Sequence, residues 1–185
     1  MAVLTAGLTA GEVLAKLLEG NRRMCEGGGG VPFDTTLVPY LDDEGQHPMA
    51  TVVTCSDSRV PPELIFGCGL GELFVVRSAG NVLSAVGMGS VEYGAGALGT
   101  PLVLVMGHSH CGAVAGAAEG EGGTEGCLAQ LLGQLTPSLH QAEVLVGMTP
   151  ARIPLAEDLN IRRTAGLLRE DDALRRIPGL LVAAA

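Results

Sequence analysis

The chain has 185 residues, enough for one domain with a sizeable buried core, and a net charge of -9 with Lys16 as its single lysine. That balance, with no basic block anywhere, argues against nucleic acid or an anionic membrane surface as partner. Aromatic residues make up 3% and tryptophan is absent, so the core has to be assembled from Leu, Val and Ala, with 28 glycines allowing close backbone approach.

Five cysteines is an odd count, and no paired spacing suggests a secreted disulfide framework. Residues 1–11 lack a basic stretch followed by an apolar one, so no signal peptide is expected. The longest uncharged run, Tyr93 to Ala118, holds Pro101, two histidines, Cys111 and several glycines. It reads as a buried helix–strand–helix passage, not as a membrane span. A soluble, cytoplasmic protein with reduced thiols is expected.

In chain order, Thr9-Ala10-Gly11-Glu12 has capping-box spacing, and Val13, Leu14, Leu17 and Leu18 follow as one helical face. Gly27 to Gly30 should break this helix. Residues 31–48, with prolines at 32, 39 and 48, read as an irregular arm. Met49 to Thr54 is an apolar, β-branched run suited to a strand buried on both faces, and it delivers Cys55 at its end. Pro61 to Phe66 reads as a short helix opened by proline. Leu73 to Arg77 reads as a second strand, and Gly87 to Leu98 as a glycine-rich helix. Leu102 to Met106 is a third strand, delivering His108 just past its end, and Cys111 opens a helix towards Ala118. Gly120 to Gly126 is a polar loop. Helices are expected over Leu128 to Leu135 and Ala151 to Arg169, with a last strand starting at Leu180-Leu181-Val182. Strands alternating with helices predict an α/β domain on a mainly parallel sheet, with its site outside the carboxyl ends of the strands.

Both chemistry-bearing stretches fall at such ends: Cys55-Ser56-Asp57-Ser58-Arg59 and His108-Ser109-His110-Cys111-Gly112. Two cysteines and one histidine are an attested ligand set for catalytic zinc, leaving a position for water. Cys55, His108 and Cys111 would be the three ligands, with Asp57 as a fourth that could occupy or vacate the water position. Two thiolates cancel the charge of the dication, so the cluster can be buried. Cys111 gains further from the positive end of its helix, which favours thiolate. Asp57 and Arg59, two apart, suit a hydrogen-bonded pair; the plain alternative is a surface salt bridge.

Cys-x-Asp-x-Arg and His-x-x-Cys together resemble the signatures of the β-class carbonic anhydrases. The resemblance continues through Gly20-Asn21-Arg22-Arg23, Gly45-Gln46-His47-Pro48, Ser58 to Glu63, Gly71 to Arg77 and Ala79-Gly80-Asn81. It implies a three-layer α/β fold with a mainly parallel sheet of four to five strands. It also implies zinc-dependent hydration of carbon dioxide to bicarbonate by zinc-bound hydroxide, in a homodimer or an assembly of dimers. Residues 1–48 would be a helix and arm contacting the partner, and residues 49–185 the zinc-binding core of a single domain. Arg59 would hold Asp57 off the metal, and Asp57 would accept the hydroxide's hydrogen bond. Gln46 resembles the glutamine that binds substrate, and Phe74, Ala79 and Tyr93 resemble the apolar pocket lining. Plainer readings make Phe74 a core residue and Gln46 a loop residue. His110 is expected beside the ligands or facing solvent, and Cys25, Cys68 and Cys127 outside the chemistry.

The chain departs from the family at Met24, Gly67-Cys68 and Ser78, and ends at Ala185, where relatives usually complete a strand; a short last strand is expected. The aromatic residues tied to a regulatory bicarbonate site in some relatives are missing, so that site is not expected. Two rivals stand beside the main reading: hydrolysis of carbonyl sulfide or carbon disulfide on the same scaffold, and a non-catalytic zinc- or thiol-binding interaction protein.

Overall fold

The structure, a computed structural model, describes residues 7–28, 34–121 and 123–185. Most of the expected leaderless N-terminus (residues 1–6), the last glycines of the break (Gly29, Gly30) and the start of the arm with Pro32 lie outside the described residues.

Helix α1 (Ala10–Cys25) begins at the expected capping box. Thr9 Oγ1 accepts the Glu12 N–H at 3.3 Å, and Glu12 Oε2 accepts the Thr9 N–H at 2.8 Å, satisfying two otherwise orphaned donors. Val13, Leu17 and Gly20 are buried, but Leu18 is 56% exposed, which narrows the expected apolar face. The reason is geometric: positions i, i+4 and i+7 form one line, and Leu18 lies about 100° round the helix from Leu17. Along that line α1 rests on α3 (Pro62–Phe66), and a Cβ at Gly20 would lie 1.8 Å from the Phe66 carbonyl oxygen. Asn21 Nδ2 donates to Ile65 O at 3.1 Å, completing the contact.

The arm is not wholly irregular. Leu37–Glu44 forms helix α2, which buries none of its residues. Pro39 is tolerated because it sits in the first turn, where a backbone N–H has no intrahelical acceptor to lose.

Four strands form one parallel sheet in the order β2-β1-β3-β4: β1 (Ala50–Cys55), β2 (Leu73–Ser78), β3 (Leu102–Met106) and β4 (Leu181–Ala184). Both β1 and β3 are buried throughout. Alternation along them divides the core in two. Ala50, Val52, Leu102, Leu104 and Met106 pack with Val13, Leu17 and Phe66 on the α1/α3 side. Val53, Val103 and Val105 face the other side, where they meet Val91 of α4 (Ala85–Glu92) and Ala165 and Leu168 of α8 (Arg152–Glu170). Helices on both faces of the sheet make three layers. Phe66 is the one buried aromatic among the described residues, so aliphatic side chains carry the core.

After β3 come α5 (Gly112–Glu119), α6 (Gly126–Gly133), α7 (Thr136–Val146) and α8. The sequence reading does not anticipate α7. Its first turn holds Pro137 beside polar residues, which looks like a loop until Leu139 and Ala142, three apart, are seen buried on one face. Strand β4 pairs with β3, and past its end the Ala185 N–H donates to Val105 O at 2.9 Å.

Candidate metal centre

The parallel register sets the three donors at one end of the sheet. Cys55 is the last residue of β1, opposite Ser78 at the end of β2, and His108 follows β3 by two residues. Cys111 caps α5. The Cys55 and Cys111 sulfurs are 4.0 Å apart, and one donor atom from each of Cys55, His108 and Cys111 lies within 4.8 Å of the others. Sulfur at about 2.3 Å and nitrogen at about 2.0 Å from a tetrahedral ion would stand ~3.5–3.8 Å from each other, so small side-chain adjustments close the site.

His108 gives an independent sign of fit. Nδ1 lies 3.0 Å from the Ser109 carbonyl oxygen, which can only accept, and 3.4 Å from Arg59 Nη2; the shorter contact puts the proton on Nδ1 and leaves the free lone pair on Nε2. Nε2 is buried with no hydrogen-bond partner, an expensive arrangement unless a cation takes the lone pair. Either sulfur can donate in this contact; with Cys111 as donor the bond lowers the Cys55 pKa, and the same bond together with burial raises that of Cys111. The Gly80 N–H also supports charge on Cys55, donating to its sulfur at 3.2 Å. A dication between the sulfurs would displace both protons.

Asp57 stands beside this group without joining it. Its Oδ2 is 3.9 Å from His108 Nε2, while Arg59 takes both carboxylate oxygens at 2.9 Å through Nε and Nη2. The Arg59 backbone N–H adds a third bond to Oδ1 at 2.9 Å, which is why the two residues stand two apart. These bonds hold the Asp57 carboxyl well below the usual carboxylate range. Arg59 Nη2 also donates to His110 O at 3.0 Å, linking the two motif loops; His110, at φ 55, contributes its backbone here.

The other expected site residues divide. Ala79 follows β2 directly, next to Gly80 and so beside Cys55. Phe74 pairs in register with Thr51, four positions before the Ser78–Cys55 level, about 13 Å along the strands. Tyr93 lies against Phe74, ring centroids 5.9 Å apart, and is 53% exposed. Gln46 is exposed and precedes the opposite end of β1 from Cys55. On one chain, therefore, Gln46, Phe74 and Tyr93 are not brought to the Cys–His–Cys group. Cys25 and Cys127 are exposed and Cys68 is buried away from the cluster.

Three residues that the sequence reading passes over brace the site. Arg77 donates from Nε to Cys55 O at 3.0 Å and from Nη2 to Asp57 O at 2.6 Å. Glu157 and Asn160, on α8, reach Cys111 N and Gly80 O. Arg77 had a signal, a charge ending an apolar strand; the α8 pair had none.

Comparison with known proteins agrees with this geometry. A family model described as carbonic anhydrase matches residues 50–177. Carbonic anhydrase 2 of Mycobacterium tuberculosis is 44% identical over 98 residues, covering 53% of this chain and 47% of that protein. A carbonic anhydrase of Mycolicibacterium smegmatis is 42% identical over 129 residues, 70% of this chain and 54% of the relative. The chain thus spans about half the length of the curated relatives it matches. Among solved structures, a β-carbonic anhydrase of Sordaria macrospora, described as tetrameric, aligns with a TM-score of 0.72 at 29% identity, covering 82% of this chain and 80% of its own. One from Aspergillus fumigatus aligns at 0.68 and 27%, covering 92% and 82%. Family and donor set agree on zinc as the cofactor. The chain belongs to the carbonic anhydrase family, and within it to the β class.

Proposed function

We propose that the protein catalyses the reversible hydration of carbon dioxide to bicarbonate and a proton, with zinc held by Cys55, His108 and Cys111. The observation that carries this reading is the buried, unpartnered His108 Nε2 facing two thiols, with an ionised carboxylate 3.9 Å away. When bound there, zinc supplies an acidified water as nucleophile. The chain's own residues do the rest. Two thiolates balance the metal's charge, so the site adds no net charge to a buried place. The Ser109 carbonyl fixes the His108 tautomer. Asp57, acceptor-only while ionised, takes the hydrogen bond of the attacking water and turns a lone pair towards the carbon of carbon dioxide. Arg59 keeps Asp57 charged and off the metal position.

We assign Gln46, Phe74 and Tyr93 to the pocket of a second copy's cluster, in a homodimer or an assembly of dimers. Their distance from this chain's own sulfurs, the exposure of Tyr93 and the edge position of β2 support that reading. So does α2, none of whose residues is fully buried on its own chain; in this reading the arm within residues 1–48 faces the partner, while α1 is also seated on the chain's own core through Val13 and Leu17. The Sordaria relative is described as tetrameric. No described helix is long and apolar enough to cross a membrane. Thiolate ligands persist in a reducing compartment, which favours the cytoplasm.

Stopped-flow carbon dioxide hydration from about pH 7 to pH 9, on protein with its zinc quantified, tests the proposal. Turnover rising with pH at one zinc per chain is expected. Full zinc without hydration anywhere in that range would overturn it and direct attention to carbonyl sulfide.

A further inference from the structure

Helix α8 carries no ligand, yet two of its buried side chains end on backbone beside the two sulfurs, one on Cys111 and one on Gly80. Glu157 and Asn160, three residues apart and so on one helical face, are 8% and 3% exposed. Glu157 Oε1 accepts the Cys111 N–H at 2.7 Å. Asn160 Nδ2 donates to the Gly80 carbonyl at 2.7 Å, and the Gly80 N–H donates to Cys55 Sγ at 3.2 Å. Gly80 is held in the left-handed region (φ 67), where a Cβ would meet Leu135 and Ala113 at 3.2 and 3.3 Å. Its N–H therefore has little freedom to turn from the sulfur once its carbonyl is tied.

We infer that Glu157 and Asn160 are positioning residues for the zinc thiolates, and that α8 sets the separation of Cys55 and Cys111. The inference rests on the zinc reading above. In a capping box the cap residue's own N–H is taken by a Glu or Gln three residues on; here Cys111 is the cap residue, that position is Val114, and the Cys111 N–H is taken instead by a carboxylate 46 residues away. A buried carboxylate spent on one backbone donor is costly unless that donor's placement matters. The cluster's geometry is the function that placement serves: moving Cys111 changes the sulfur–sulfur distance directly, and moving Gly80 withdraws a donor from the Cys55 sulfur. Second partners of this kind commonly tune metal affinity.

The test uses the zinc-loaded protein and five variants, with zinc affinity read by competition with a chromophoric chelator. Cobalt-substituted samples supply the thiolate-to-metal absorption bands, and zinc-free samples the melting temperature. Glu157→Ala and Asn160→Ala are expected to bind zinc about 10–100-fold more weakly, with shifted cobalt bands. Glu157→Gln, whose amide oxygen still accepts the Cys111 N–H, is expected to keep wild-type affinity. Leu168→Ala, a core truncation on the same helix away from the cluster, should lower the melting temperature without weakening zinc. Equal weakening by Leu168→Ala at equal loss of stability would overturn the inference, as would alanine variants that bind like wild type. If the alanine variants do not fold, isosteric Asn160→Asp decides with Glu157→Gln: the first must weaken zinc and the second must not. Wild-type protein that binds no zinc would bring down the metal reading itself, whereas tight wild-type binding with indifferent variants removes only the role of α8.

Discussion

The Arg59 guanidinium lies along the Asp57 carboxylate, Nε on Oδ1 and Nη2 on Oδ2, each at 2.9 Å, and this grip keeps Oδ2 at 3.9 Å from His108 Nε2. A two-point clasp fixes direction as well as distance. Replacing Arg59 by alanine frees a carboxylate already within a short swing of the metal position. Arg59→Ala is expected to lose about 10²-fold or more in hydration rate with its zinc content unchanged. Stopped-flow turnover beside metal analysis checks this; an unaltered rate would remove Arg59 from the mechanism.

The same clasp predicts an acid dependence. Hydrogen bonds from Arg59 lower the folded-state pKa of Asp57, so the stability they contribute is present above the unfolded value of about 3.9 and is lost as pH falls through the lower folded value. The melting-temperature difference between wild type and Arg59→Ala should therefore stay constant from about pH 8 to pH 5 and shrink only below about pH 4. A difference that faded between pH 7 and pH 5 would mean that Asp57 titrates near neutrality.

The five thiols should fall into three classes. Cys25 and Cys127 are exposed and should react with a thiol reagent in the native zinc protein. Cys55 and Cys111 should become reactive only after a chelator removes the metal. Burial pushes the Cys68 thiol up to about 12, so it should react only on unfolding. Because its folded pKa is raised, its contribution to stability is complete below the unfolded value of about 8.5 and declines as pH rises towards about 12. Wild type should lose melting temperature across that alkaline window more steeply than Cys68→Ala.

Gly20 tests the seat of α1. An added Cβ would lie 1.8 Å from a backbone oxygen of α3, which has no flexible side chain to yield. Gly20→Ala is expected to cost about 3 kcal/mol, the upper end for overpacking, against about 1 kcal/mol for loss of the cap in Thr9→Ala. Urea midpoints of the two variants measure the contrast; a Gly20→Ala protein as stable as wild type would mean that α1 is not seated on Phe66.

The sequence alone determined what acts over a few residues. The Thr9–Glu12 box, the strands that deliver Cys55 and His108, the cap position of Cys111 and the Asp57–Arg59 spacing are local chemistry, legible from spacing and residue type. Tertiary structure decided the rest. Leu18 has the polarity of a core residue and lies outside because α3 meets α1 along a single line. Leu37–Glu44 is a helix despite Pro39, and α7 one despite Pro137, since only the packed chain shows both prolines falling in first turns. The bracing of the sulfurs by Glu157 and Asn160 spans 46 and 80 residues of chain, and no periodicity records it. Residue types and short spacings fix hydrogen bonds within a turn. Contacts across the fold depend on how the helices settle on the sheet, which a single sequence pattern does not encode.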